Sequence, residues 1–136
     1  MIQRAHPTAT RAPIRVVVID DDEFEREYLV DLLRTAGFNV SSLPSVFGVT
    51  NHLVQEHVQV VVLDVMMPTI RGDKLAALLR KSAALPNLRV VLVSSMSEAE
   101  VAPLMAQAGV EAFVAKANVR ADLATAIDNL VSGARR

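Results

Sequence analysis

The hydrophobic residues of this chain form two alternating kinds of segment, and the first kind is a short, unbroken run of mostly β-branched residues. Runs of this length are typical of strands that are buried on both faces of a parallel sheet. They predict strands at 16–19, 60–63, 90–93 and 112–115. Residues 39–43 make a poor strand by themselves, and only their position in the alternation predicts a strand there.

The second kind of segment carries hydrophobic residues at three- and four-residue spacing, which predicts amphipathic helices. The first of these stripes ends before Gly37, a residue type common at helix C-termini, and it consists of Phe24, Tyr28, Leu29, Leu32, Leu33 and Ala36. Later helices are marked by Leu75, Leu78 and Leu79, by Val101, Leu104, Met105 and Ala108, and by Leu123, Ala126, Ile127, Leu130 and Val131. A less regular pattern predicts a further helix over about 44–56.

Strands and helices that alternate at these lengths predict an α/β fold, a doubly wound parallel sheet built from five (βα) units. The chain has 136 residues, which fits one domain. We expect that domain to cover residues 14–133, with 1–13 as a flexible N-terminal leader and 134–136 as a tail.

Composition removes several classes of function. The absence of cysteine excludes disulfide scaffolds, thiol catalysis, zinc ribbons and iron–sulfur clusters. A net charge of −1 offers no basic footprint for nucleic acid or anionic membrane. No apolar run approaches the length of a membrane span, about 20 residues, and the N-terminus has no apolar signal segment. We therefore expect a cytoplasmic protein that binds neither nucleic acid nor membrane.

The candidate chemistry lies where the predicted strands end. Asp20, Asp21 and Asp22 follow the first strand, Asp64 follows the third, Ser94 and Ser95 follow the fourth, and Lys116 follows the fifth. In doubly wound sheets, ligands bind outside the carboxyl ends of the strands. We therefore expect these side chains to converge on one site.

The residue types in this site indicate phosphoryl transfer. Two carboxylates about 5 Å apart repel each other by roughly 3 kcal/mol at an effective dielectric constant near 20, so a cation is needed to compensate Asp20, Asp21 and Asp64. Oxygen ligands without cysteine or clustered histidine favour Mg²⁺ or Mn²⁺. Such a metal and Lys116 can neutralise phosphoryl oxygens, Ser94 can donate a hydrogen bond to one of them, and Asp64 can act as the nucleophile.

Five sequence features at fixed spacing resemble the receiver domain of bacterial two-component response regulators, of the chemotaxis-receiver type. They are VVVIDDDE at the first strand, VVLDVMMP around Asp64, Gly72 four residues beyond that proline, VVLVSS and FVAK. The resemblance runs from about residue 14 to residue 133. It implies a flavodoxin-like sheet of order 2-1-3-4-5.

The resemblance also implies roles for single residues. Asp64 would accept a phosphoryl group from a histidine kinase, a phosphotransfer protein or a small phosphodonor. Asp21, Asp64 and the backbone carbonyl of Met66 would bind Mg²⁺, and Asp20 would orient the waters of the metal. Ser94 and Phe113 occupy the positions of the switch hydroxyl and the switch aromatic.

The function implied by the resemblance is signalling within a phosphorelay rather than enzymatic turnover. Beyond self-catalysed phosphotransfer and autodephosphorylation, the output would be a changed surface on the fourth helix, fifth strand and fifth helix, presented to a downstream partner. No output domain follows Arg136 in this sequence, so we expect action through protein contacts or membership of a longer protein.

Three departures from the family pattern bear on switching. Ala117 stands where the family usually has a proline in a cis peptide, and because a non-proline cis bond costs about 3–4 kcal/mol, this loop is expected to be trans. Ser95 is larger than the usual alanine, and Thr69, Ile70 and Arg71 are unusual for their loop.

Two other functions are compatible with parts of the pattern. A pseudo-receiver that signals without phosphorylation is supported only by Ala117. A phosphatase of the haloacid dehalogenase kind would explain Asp20-x-Asp22 and the hydroxyl after the fourth strand. That family, however, needs a further acidic pair after its lysine, and Asp122 and Asp128 lie instead on a predicted helix.

Overall fold

The structure, a computed structural model, describes residues 13–133 and contains five strands and five helices in strict alternation. The predicted leader (apart from Pro13) and the predicted tail lie outside the described residues. In chain order the elements are β1 (Arg15–Ile19), α1 (Glu23–Thr35), β2 (Asn39–Leu43), α2 (Val49–Gln55), β3 (Val60–Asp64), α3 (Gly72–Arg80), β4 (Arg89–Ser94), α4 (Glu98–Ala108), β5 (Ala112–Ala115) and α5 (Val119–Gly133).

All strand pairs are parallel, and the strand order is β2-β1-β3-β4-β5. The chain reverses its direction of travel across the sheet between β1 and β3, which are direct neighbours with Ile19 opposite Leu63. A doubly wound sheet opens its ligand crevice at such a reversal. The predicted fold is confirmed, and the residues that follow β1 and β3 are brought together.

The strands contribute side chains to two hydrophobic cores, one on each face of the sheet, because successive side chains point to opposite faces. Val16 and Val18 pack with residues of α1 and α5, including Leu33 and Leu123. Their neighbours Val17 and Ile19 pack in the other core, with residues of α2, α3 and α4. Fully burying a valine or leucine side chain contributes about 1.5–3 kcal/mol, so the two cores hold the strand ends in a fixed arrangement.

Side-chain caps determine where two helices begin. Asp22 is the N-cap of α1, and its side chain accepts a hydrogen bond of 3.0 Å from the backbone N–H of Glu25. Ser97 opens α4 with a reciprocal capping box to Glu100. These caps satisfy backbone donors that the first helical turn leaves unpaired.

Three residues that the helical periodicity placed in the core lie on the surface instead. Phe24 is 85% exposed, Tyr28 is 43% exposed and Leu78 is 60% exposed. On α1 the buried face consists of Leu29, Val30 and Leu33. The three-and-four spacing was correct for the helices, but the rotation of each helix against the sheet excludes these side chains from the core.

The helix predicted over 44–56 is shorter in the structure, where α2 begins at Val49. Gly48 precedes it with φ +72, a left-handed conformation that a non-glycine residue adopts only at a cost.

Residues 116–118 form a 3-10 turn that leads directly into α5. No peptide bond within residues 13–133 is cis, in accordance with the prediction for Ala117. In the same part of the chain, no helix is long and apolar enough to cross a membrane.

Candidate functional site

The structure brings four predicted site residues to the carboxyl edge of the sheet. Asp20 directly follows β1, Asp64 ends β3, Ser94 ends β4 and Lys116 directly follows β5. Val93, one residue before Ser94, lies opposite Asp64 in the β3–β4 register. Asp20, Asp64 and Ser94 are buried, with exposures of 1%, 4% and 0%.

Asp20, Asp21 and Asp64 form an acidic cluster. One carboxylate oxygen from each residue lies within 4.8 Å of the other two. Asp20 Oδ1 accepts a hydrogen bond of 2.9 Å from the backbone N–H of Asp22. The second oxygen, Asp20 Oδ2, is buried and has no hydrogen-bond partner. A buried polar atom without a partner costs free energy, so this oxygen is suited to a ligand.

Burial dominates the titration of the two buried carboxyl groups. It raises the pKa of Asp20 from 3.8 to about 7. The hydrogen bond from the Asp22 N–H opposes this rise, whereas the negative charge of Asp64 and the nearby Glu25 carboxyl, through a side-chain interaction and through its charge, add to it. Burial also raises the pKa of Asp64, while the positive charge of Lys116 and the hydrogen bond from the Met66 N–H lower it. The site therefore favours an added positive charge.

The acidic cluster fits a hard divalent cation. Mg²⁺ holds oxygen ligands at about 2.1 Å, so two ligands stand at most about 4.2 Å apart. A small closure of the three carboxylates, or a water between Asp20 and the metal, would satisfy that geometry. Met66, the predicted carbonyl ligand, is 57% exposed, and its N–H donates to Asp64 Oδ1 at 3.2 Å. Its role as a metal ligand stays a prediction.

Lys116 contacts two carboxylates that belong to different elements. Its Nζ lies 3.4 Å from Asp64 Oδ1 and 2.8 and 2.9 Å from the two carboxylate oxygens of Glu25. Burial lowers the pKa of Lys116, but the Glu25 hydrogen bond and the charges of Asp64 and Glu25 outweigh it and raise that pKa. The lysine is therefore a cation in this site.

Glu25 is the site residue that sequence analysis missed. Its one distinguishing feature is that it lies in the first turn of a helix that begins at the carboxyl edge of the sheet. Acidic residues are common there because the helix dipole favours them, so nothing in the sequence singles out Glu25.

The two predicted switch residues lie on adjacent strands, β4 and β5. Ser94 Oγ accepts a hydrogen bond of 3.0 Å from the backbone N–H of Met96. Phe113 is partly buried and packs, like Met96, Leu104 and Met105, against the core on the α2–α4 side of the sheet. The aromatic ring therefore shares one hydrophobic core with a residue of the site loop and with residues of α4.

Gly72 allows the backbone of the acidic site to lie against the start of α3. Its N–H donates to Val65 O at 2.8 Å, and a Cβ added at residue 72 would overlap the carbonyl oxygen of Asp64. The preceding residue, Arg71, donates two hydrogen bonds of 3.0 Å to the buried carboxylate of Asp73. The unusual Arg71 is therefore bound to the first turn of α3, where the loop that follows Asp64 ends.

A parallel sheet of order 2-1-3-4-5 with two buried aspartates and a lysine at its carboxyl edge defines a doubly wound α/β domain with a charged site at the crevice of the sheet. The model of the family described as "Response regulator receiver domain" matches residues 16–128. The chain belongs to this family of two-component signalling modules, as the motifs predicted.

Individual relatives agree with the family assignment. The chain is 35% identical over 122 residues to the C4-dicarboxylate transport transcriptional regulatory protein DctD of Rhizobium meliloti, a match that covers 89% of this chain and 24% of that protein. The chain thus spans about a quarter of the length of DctD.

Solved structures share the fold at lower identity. A putative response regulator from Chloroflexus aurantiacus superposes with a TM-score of 0.81 at 21% identity, covering 89% of this chain and 99% of that one. The Vibrio cholerae chemotaxis protein CheY4 superposes with a TM-score of 0.79 at 17% identity, covering 88% and 99%. At these identities the likeness concerns the fold.

Proposed function

We propose that this chain is a phosphoacceptor receiver that takes a phosphoryl group onto Asp64 and passes the signal on through a changed protein surface. The observation that carries the proposal is the position of the Asp64 carboxylate. It is buried at the crevice of the sheet, clustered with Asp20 and Asp21, and 3.4 Å from Lys116 Nζ.

In the proposed reaction, a carboxylate oxygen of Asp64 attacks the phosphorus of a phosphohistidine or of acetyl phosphate. The new O–P bond makes an acyl phosphate, and the old P–N or P–O bond breaks with its electron pair going to imidazole or acetate. Lys116 supports this step because its positive charge stabilises the negative phosphoryl oxygens. Ser94 supports it by offering a hydroxyl donor at the same edge.

We propose Mg²⁺ or Mn²⁺ as the cofactor, held by Asp20, Asp21, Asp64 and the carbonyl of Met66. The unpartnered Asp20 Oδ2 and the 4.8 Å grouping of the three carboxylates support this assignment. When bound, the metal would supply positive charge that offsets the carboxylates and the incoming phosphoryl group.

The proposed output is a change on the surface formed by α4, β5 and α5. Phosphorylation would draw the Ser94 hydroxyl toward Asp64, away from its hydrogen bond with the Met96 N–H. Phe113 packs on the same core as Met96, so movement of that loop would reach the aromatic ring and α4. We propose a histidine kinase or phosphotransfer protein as donor and a separate or covalently linked output partner in the cytoplasm.

The direct test is incubation with acetyl phosphate and Mg²⁺, followed by intact-mass measurement. We expect one added phosphoryl group that is stable in acid and labile in base, and its loss in Asp64→Asn. Asp31→Asn, which changes an exposed acid of α1, should still be modified. Modification that survives Asp64→Asn would refute the assignment, and a protein that no donor modifies would instead be a pseudo-receiver.

The switch is tested by a map of backbone amide signals with and without beryllofluoride, a phosphoryl mimic. We expect changes over residues 94–108 and 112–120. Changes confined to residues 66–72 would show that the signal does not reach the proposed output surface.

A further inference from the structure

Lys116 is held more closely by Glu25 than by the proposed phosphoacceptor. Both carboxylate oxygens of Glu25 accept hydrogen bonds from Nζ, at 2.8 and 2.9 Å. The nearest oxygen of Asp64 is 3.4 Å from the same nitrogen. Because both short hydrogen bonds of Nζ go to Glu25, a group at residue 64 that attracts the ammonium more strongly competes with Glu25 for it.

The carboxylate of Glu25 is held near this position by the start of α1. The backbone N–H of Glu25 is bound to the Asp22 cap at 3.0 Å. The next residue, Arg26, donates a hydrogen bond of 2.9 Å to the backbone carbonyl of Asp20. These two contacts fix the first turn of the helix against the end of β1, and the Glu25 side chain is only 40% exposed.

We propose that Glu25 is a positioning residue that competes with Asp64 for Lys116, and that phosphorylation of Asp64 transfers the lysine from Glu25 to the phosphoryl group. This inference rests on the proposed phosphoacceptor function. Phosphorylation replaces a single negative charge by a group with a charge near −2 and three acceptor oxygens, which shifts the competition toward residue 64. Lys116 remains protonated throughout, and no covalent bond changes in the transfer.

The competition predicts that Glu25 restrains phosphorylation. In the unphosphorylated protein the Glu25–Lys116 ion pair must open, and the free Glu25 carboxylate then repels the incoming phosphoryl group. Glu25→Gln keeps the size of the side chain but removes its charge. We expect acetyl phosphate to modify Glu25→Gln about 1.5-fold to fivefold faster than the unmutated protein, the range that one partly exposed ion pair supports.

The matched control is Glu23→Gln. Glu23 lies in the same first turn of α1 and is exposed, so this variant removes the same charge from the same helix without touching Lys116. Its rate of modification should stay close to that of the unmutated protein. Equal rates for Glu25→Gln and Glu23→Gln would overturn the role of Glu25.

A second readout follows the lysine itself. In protein labelled with ¹³C at glutamate side chains, the Glu25 carboxyl signal should shift when beryllofluoride occupies the site, because its ammonium partner leaves; the Glu23 signal should not. A Glu25 carboxyl signal that stays in place while the backbone amide signals around Asp64 change would overturn the transfer but leave the phosphoacceptor function intact. If beryllofluoride perturbs no signal and acetyl phosphate modifies no residue, both proposals fail.

Discussion

Asp20→Asn is expected to stabilise the metal-free protein and to make its stability less dependent on pH. The Asp20 carboxyl is 1% exposed, one of its oxygens has no partner, and burial raises its pKa from 3.8 to about 7. Because folding raises the pKa of this acid, the folded state binds more protons than the unfolded state. The free energy of unfolding therefore falls as the pH rises between these two pKa values.

The size of the effect follows from the two pKa values. A rise of about three pKa units corresponds to roughly 4 kcal/mol of destabilisation, fully developed only above about pH 7. Between about pH 5 and pH 8 the penalty grows by roughly 2–3 kcal/mol, since the unfolded carboxyl is already ionised at the lower pH. Asparagine keeps the shape and cannot ionise, so we expect Asp20→Asn to add about 2–4 kcal/mol to the free energy of unfolding near pH 8.

The stabilisation by Mg²⁺ should be larger for the unmutated protein than for the variants of the acidic cluster. Mg²⁺ binds only the folded arrangement of the three aspartates, so it should stabilise the unmutated protein by about 2.7 kcal/mol at a hundredfold excess over Kd. Asp20→Asn and Asp21→Asn should both lose most of this response. Asp21 is exposed, so Asp21→Asn should change metal-free stability much less than Asp20→Asn.

Urea denaturation followed by circular dichroism at several pH values, with EDTA or millimolar Mg²⁺, measures all of these quantities. Asp31→Asn controls for the loss of one carboxylate outside the site. If Asp20→Asn is no more stable than the unmutated protein near pH 8, the buried Asp20 carboxylate does not destabilise the folded state as its raised pKa requires. A melting temperature of the unmutated protein that ignores Mg²⁺ would mean that the aspartates form no metal site.

Four further substitutions test the fold, each by denaturant unfolding. Gly72→Ala should lower the free energy of unfolding by about 2–3 kcal/mol because the new methyl group overlaps the Asp64 carbonyl. Gly109→Ala places its methyl group in open space at φ +70, so it should lower that free energy by only about 1–2 kcal/mol. Equal losses for the two variants would contradict the overlap at residue 72. Pro103→Ala should gain about 1–2 kcal/mol by restoring a hydrogen-bond donor inside α4, and a loss would mean that the ring packs favourably. Ser97→Ala should lose about 1 kcal/mol with the capping box; an unchanged stability would show that the cap contributes nothing.

The strands and the polar residues at their carboxyl ends could be predicted from the sequence because both are patterns of neighbouring residues. The predicted run at 112–115 coincides with β5, and residues 39–43, predicted from position alone, coincide with β2. Parallel strands place their carboxyl ends at one edge, so the sequence alone is enough to predict that Asp20, Asp64, Ser94 and Lys116 converge.

Tertiary structure alone decided which helical faces are buried and which distant residues pair. Phe24 and Tyr28 satisfy the helical spacing. However, α1 packs in one core with residues of the sheet and of α5, and the resulting rotation of the helix leaves these two rings exposed. Glu25 and Lys116 stand 91 residues apart, and no periodicity links them. Hydrophobic period and turn chemistry are properties of neighbouring residues, whereas an ion pair across the crevice exists only after β1, β3 and β5 have taken their places in one sheet.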